Sequence, residues 1–157
     1  NMLVPFSMLL NLASVSSAEY KSQLWGFIQR YAPDSNPENN PDMDAAAGFA
    51  VRYYNDFVKP TKTYRIPDDL EREALTDLRN QLASYDGPVD DEALQSIVYA
   101  CGRERFDPLR GWFKALYEVL LGASQGPRFG GFIALYGVSE TVALIDMALA
   151  GELADTD

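Results

Sequence analysis

Apolar positions recur along most of this chain at the three- and four-residue spacing of amphipathic helices, and almost nowhere at the alternation of strands. Residues 5–15 (PFSMLLNLASV) place Phe6, Leu9, Leu10 and Ala13 on one helical face, with Pro5 tolerated near a first turn. Residues 19–31 bring Tyr20, Leu24, Phe27, Ile28 and Tyr31 together as a second stripe, and Trp25 beside Leu24 reads as core. Residues 33–41 (PDSNPENNP) carry three prolines and read as a loop. A third helix starts at Asp42 or Asp44 and ends near Val58, with Ala46, Phe49, Ala50, Tyr53, Tyr54 and Phe57 as its apolar side. Two prolines and two threonines in residues 57–67 (FVKPTKTYRIP) predict an extended, non-helical segment. Residues 68–85 form the next helix, with acids crowded into a first turn that suits them and Leu70, Ala74, Leu78 and Leu82 as its stripe. After the turn Asp86-Gly87-Pro88, Asp90 or Asp91 caps a helix that turns Leu94, Ile97, Val98 and Cys101 inward and ends near Gly102.

The most distinctive stretch is 108–137, two apolar helical runs (112–121 and 129–136) joined by a turn bounded by Gly122 and Gly126. Phe113, Leu116, Tyr117 and Leu120 share one face of the first run; Arg110, Lys114 and Glu118 share another. Gly122 stands where a helix C′ residue would. Gly126-Pro127-Arg128 leads into the second run, whose first amides beside Arg128 make either an anion site or simply a tight turn with a proline start. The pattern as a whole predicts an all-α fold of seven or eight helices in one domain covering residues 1–157.

Composition narrows the chemistry. No apolar run approaches 18 residues, so no membrane span is expected, and the apolar residues 3–12 lack the flanks of a signal peptide. The chain has no histidine and one cysteine, which removes the usual general base and argues against a zinc site. Cys101, in an apolar helical run, reads as a buried inert thiol. The carboxylates Asp68, Asp69, Glu71, Glu73 and Asp77 read as a solvated helix start, not a metal cluster. A net charge of −10 opposes nucleic-acid binding until its distribution is considered. Residues 52–65 hold four cations against Asp56 alone, and residues 103–128 hold five cations against three anions, so positive charge is segregated within an acidic chain. Lys59, Lys62 and Arg65 also interleave with Tyr64, as single-stranded RNA binders do; a solvated connecting loop is the other reading.

Residues 106–137 (FDPLRGWFKALYEVLLGASQGPRFGGFIALYG) resemble the C-terminal end of class I aminoacyl-tRNA synthetases of the glutamyl and class I lysyl kind. Those end in a Phe/Pro-Leu-Arg helix, a Gly-x-x-x-Gly-Pro-Arg/Glu turn and a short Leu/Gly helix. FSMLLNLAS (6–14), WGFIQRYAP (25–33) and RYYNDFVKPTKTYR (52–65) resemble the class I lysyl-tRNA synthetases specifically, in the same order, so the similarity runs from about Pro5 to Leu149. The resemblance implies an α-helix cage gripping the anticodon loop of lysine tRNA in the cytoplasm. Its partners would be that tRNA and the parent enzyme's own catalytic domain, with no role for membrane or DNA. The family's HIGH-like motif cannot be present without histidine, and neither a KMSKS-like run nor the alternating strands of a Rossmann domain occur. The chain is therefore expected to be a C-terminal fragment, consistent with Asn at position 1. It would hold no cofactor of its own, since ATP belongs to the parent's catalytic domain, and it would not charge tRNA alone.

As implied contacts, Arg128, Phe129 and the amides that follow would meet the loop. Arg110 and Lys114 would line the adjoining helix, with Trp112 either stacking on a base or filling the core. Lys59, Lys62, Tyr64 and Arg65 would form a second, facing strip. Arg110 has a competing role as a brace to Glu118 or Asp107. Two readings from other classes stand beside this one: a helical protein-interaction domain, suggested by the acidic balance and many aromatics, and a stand-alone enzyme, which the absence of histidine disfavours.

Overall fold

A computed structural model describes residues 4–154, which form eight α-helices and no strand. The all-α class expected from the periodicity is the observed one. The chain divides into two compact units, the first ending at Lys62 and the second beginning at Thr63.

The first unit contains α1 (Phe6–Ser16), α2 (Lys21–Tyr31) and α3 (Pro41–Tyr53), with α1 and α2 both laid on α3. Pro41 occupies the first turn of α3, where its missing N–H leaves no bond unmade. Leu9, Leu12, Leu24, Ile28, Met43 and Tyr54 are fully buried. Trp25 is core as expected, its Nε1 donating to Asp44 Oδ1 at 3.0 Å. Lys21 Nζ reaches the other oxygen of Asp44 at 2.8 Å, and that bond holds the carboxyl below the usual range.

Two expectations fail in this unit. α3 continues through a π-helical turn (Tyr54–Val58) and a 3-10 turn (Lys59–Thr61), so the chain is extended only from Lys62 onward. Pro60 does not prevent this, because it sits in the first turn of the 3-10 segment. Most of the aromatics placed on inward stripes, Tyr54 excepted, also point the other way. α3 buries Met43, Ala47, Ala50 and Val51, a mostly small-residue face on which α1 and α2 settle. Tyr20, Tyr31, Phe49, Tyr53 and Phe57 are exposed. Phe6, Phe49, Tyr53 and Phe57 form a surface ladder, with ring centroids 5.4 Å apart for Phe6–Phe49 and 5.1 Å for Tyr53–Phe57.

The second unit contains α4 (Asp69–Ala83), α5 (Asp91–Arg103), α6 (Arg110–Leu116), α7 (Phe129–Tyr136) and α8 (Val138–Leu149), with a π-helical turn (Tyr117–Leu121) continuing α6. Asp68 accepts from Glu71 N at 2.8 Å while Glu71 accepts from Asp68 N at 2.9 Å, a reciprocal cap on α4. Asp90 caps α5 through Ala93 N. Gly122 closes the π turn at φ 67°, as its C′ position requires. α7 packs on α5 and α8 on α4. No single helix among the described residues is long and apolar enough to cross a membrane.

Two glycines let α5 sit unusually close to its neighbours. A Cβ on Gly102 would fall 2.2 Å from Trp112 Cδ1, so the fully buried indole occupies that space. Its Nε1 donates to Val98 O at 2.8 Å and Phe106 stacks on it at 5.5 Å. This rotates α6 so that Trp112, Ala115 and Leu116 face inward while Phe113 and Tyr117, expected on the core face, are only half-buried. On the opposite contact, a Cβ on Gly130 would fall 2.5 Å from both Asp91 O and Gln95 N, main-chain atoms that cannot swing aside. Gly130→Ala should therefore cost about 1–3 kcal/mol of stability from overpacking, outweighing the roughly 1 kcal/mol alanine gains in helix propensity. Urea denaturation measures this; an unchanged or raised midpoint would mean that α5 and α7 separate freely.

Candidate nucleic-acid interface

The candidate cations fall into two groups by what surrounds them. Lys62 Nζ donates to Ser14 O (3.1 Å), Ser14 Oγ (3.3 Å) and Tyr54 Oη (2.9 Å) and lies over the Tyr54 ring. It fastens the end of the first unit to α1. In the second unit, Arg65 forks onto Glu71 (Nη1 to Oε1 2.7 Å, Nη2 to Oε2 2.9 Å) and sends Nε to Glu118 Oε1 at 2.6 Å. Thr63 N donates to Gly122 O at 3.0 Å beside it, so this clamp ties the start of the unit to α4 and to the π turn. The Arg65 guanidinium holds the buried Glu71 carboxyl below the usual range. Lys62 and Arg65 thus act as braces where the sequence suggested contact residues. Tyr64 is half-buried in the second unit, and Lys59 is exposed on the 3-10 turn of the first.

Around the hairpin the structure corrects Phe129 as a contact and decides between the alternatives left open for Trp112 and for the start of α7. Trp112 and Phe129 are both fully buried, so neither offers a ring face to a ligand. At the start of α7 the Gly130 amide donates to Gln95 Oε1 at 2.6 Å in a buried position, so that amide is already engaged. Spacing identified the correct helix start, but only the packing of α5 reveals that a glutamine side chain already takes one of its amides.

Arg110, Lys114 and Arg128 are exposed. Arg110 makes no side-chain hydrogen bond or ion pair among the described residues, and Lys114 Nζ stands 3.9 Å from Glu118 Oε2. Arg128 pairs through Nε with Asp91 at 2.8 Å, and the bond raises the arginine's pKa. Both side chains of that pair are about half exposed, so solvent screens it and it yields readily to another anion. A cleft of about 560 Å³ lies against α6 and the following turn, lined by Pro108, Arg110, Gly111, Phe113, Lys114, Tyr117, Ser124, Gln125 and Gly126. It contains two cations and no carboxylate. A second cleft of about 370 Å³ is lined by Glu92, Gln95, Ser96, Tyr99, Arg103 and Arg128. Tyr99 belongs to one cleft and Phe113 to the other, and their rings meet edge to face at 5.4 Å. Four cations, Arg103, Arg110, Lys114 and Arg128, therefore flank one pair of accessible rings. Arg103, counted among the segregated cations, Phe113, placed on a core face, and Tyr99 were not among the contact residues expected from the sequence. The available signal was Tyr99, an aromatic on the polar side of α5 four residues before Arg103.

The chain is 88% identical over all 157 residues to the lysine–tRNA ligase of Roseobacter denitrificans, covering 30% of that protein. It is 46% identical over 147 residues to the lysine–tRNA ligase of Rickettsia bellii, covering 93% of the chain and 28% of the relative. With the ligase of Rickettsia felis the identity is 43% over 144 residues, 91% of the chain and 27% of the relative. The chain is homologous to part of the lysine–tRNA ligases. It spans less than a third of the length of these relatives. No family model matches it, and no solved structure matches it significantly. The resemblance to lysyl-tRNA synthetases read from the motifs is thus borne out across the chain.

The division between braces and accessible cations has a direct test in stability. Glu71→Gln should lose about 2 kcal/mol, the scale of hydrogen bonds to a charged group, while Arg110→Ala should stay within about 0.5 kcal/mol of the parent chain. The Glu71 pKa is depressed in the folded state, so its contribution is complete above about 4.3, the ordinary value, and is lost as pH falls through the folded value. Denaturation at pH 6 and in progressively more acid buffer should show the gap between parent and Glu71→Gln closing. A gap independent of pH would rule out the ion pair as its source.

Proposed function

We propose that this chain is the C-terminal anticodon-binding module of a class I lysine–tRNA ligase, acting in the cytoplasm on the anticodon loop of lysine tRNA. The observation that carries this reading is the group Arg103, Arg110, Lys114 and Arg128 around the Tyr99–Phe113 rings, in a homologue of lysine–tRNA ligase. Cations neutralise backbone phosphates and set affinity, while bases splayed from a loop stack on rings and expose their edges for reading. The net charge of −10 supports selectivity: the acidic remainder of the surface repels polyanions except where these cations gather. Lysine activation with ATP and transfer to the tRNA 3′ end would take place in the parent enzyme's catalytic domain. This chain would bind without catalysing.

A second reading, a helical protein-interaction module, draws on one specific observation, the ladder of exposed Phe49, Tyr53 and Phe57 with half-buried Phe6 in the first unit. Its most economical partner would be the parent's catalytic domain, which makes the two readings compatible.

Electrophoretic or filter binding separates them. Lysine tRNA should bind with log K falling by about 2–3 per decade of salt, as expected for three or four single-strand phosphate contacts. Arg103→Ala/Arg110→Ala should weaken binding at least tenfold without changing the denaturation midpoint. Equal affinity for tRNAs of unrelated anticodon would defeat anticodon recognition, and lysine-dependent ATP–pyrophosphate exchange by the chain alone would defeat the non-catalytic role.

A further inference from the structure

We propose that the 560 Å³ cleft beside α6 receives one extruded nucleotide of the RNA loop, and that Gln125 with Ser124 reads its base edge while Phe113 supports its face. The inference rests on the tRNA-binding reading above and assigns the specificity-determining groups within it. Its size lies within the range of pockets that enclose a small planar ligand. Arg110 and Lys114 supply the positive charge for the attached phosphate; no carboxylate is among the lining residues, and Glu118 Oε2 stands 3.9 Å from Lys114 Nζ.

What separates this cleft from a mere phosphate patch is its far wall. The Tyr117 hydroxyl donates to Pro127 O at 2.9 Å, and Gly126 lies so close to the Tyr117 ring that a Cβ would fall 2.4 Å from Cδ1. The turn is therefore pinned to the helix at its end, and Ser124 and Gln125 stand on the wall of a defined space. Both are exposed, and neither side chain makes a hydrogen bond among the described residues. A primary amide offers donors and an acceptor side by side, and a hydroxyl offers either, which is the equipment needed to distinguish bases by their edges. Phe113 is held by its edge-to-face contact with Tyr99, so the ring stands oriented before a base arrives.

The test uses the full 157-residue chain with the anticodon stem-loop of lysine tRNA and a series of stem-loops carrying single base replacements in the loop. The parent chain should penalise replacement at one position by tenfold or more. Gln125→Ala should bring that penalty to within about threefold of parity and leave the salt dependence unchanged. Arg110→Ala should weaken every RNA alike and reduce the salt dependence. Phe113→Ala should lower affinity about 5- to 100-fold, the range of one lost stacking contact. Gln125 is an exposed turn residue, so its variant keeps the test independent of folding. If the parent binds but Gln125→Ala and Ser124→Ala leave the discrimination pattern intact at every position, the cleft does not read a base and this inference falls. If the parent binds neither whole lysine tRNA nor the stem-loop, the proposed function itself falls.

Discussion

The second unit depends on how closely α5 can be approached. Gly130 brings the main chain of α7 against that of α5, and Gly102 opens the slot in which Trp112 is buried. Side chains larger than hydrogen at either point would push the helices apart by more than a close-packed interior absorbs without loss. The candidate interface follows from these two contacts. The Gly130 contact sets Arg128 beside Asp91 and commits Gln95 to the Gly130 amide. The Gly102 contact turns Trp112 inward, which leaves Phe113, its neighbour in sequence, at the surface against Tyr99.

The acidic composition works within the same frame. Much of the chain's positive charge is used internally: Arg65 on Glu71 and Glu118, Arg79 on Asp146, Arg105 on Glu73 and Asp77. Burial pushes the Cys101 thiol up to about 12, which fits the inert role its apolar surroundings suggested. Against this background Arg103 and Arg110, which pair with no acid among the described residues, stand out more than a simple count of basic residues would suggest. A basic stretch in sequence is a poor measure of available charge when an acidic chain can fold its carboxylates onto it.

Reading the chain in order recovered most of the helices because their signals are local: acids in the first turn of α4, Asp90 as a cap, Gly122 as a stop, and the apolar spacing between them. The same reading misjudged 57–61, where Pro60 seemed to forbid a helix but sits in a first turn that has no use for its N–H. It also placed Phe49, Tyr53 and Phe57 in the core. Size and hydrophobicity suggested burial, yet the close contacts of α3 favour alanines, and the rings were left outside to touch one another.

The sequence by itself determined the all-α class, most of the helix boundaries, the segregation of positive charge and the kinship with lysine–tRNA ligases, because each is written in neighbouring residues or in ordered motifs. Only the tertiary structure decided which candidates are available. Lys62 meets Ser14 across 48 positions and Arg65 meets Glu118 across 53, and no periodicity along a helix reports a partner so distant. Burial of Trp112 and the capped start of α7 were decided the same way, by what another helix brought to them. The hairpin keeps its place at the centre of the candidate interface, with the working surface moved from its tryptophan and helix start to its outward ring, its two cations and its turn.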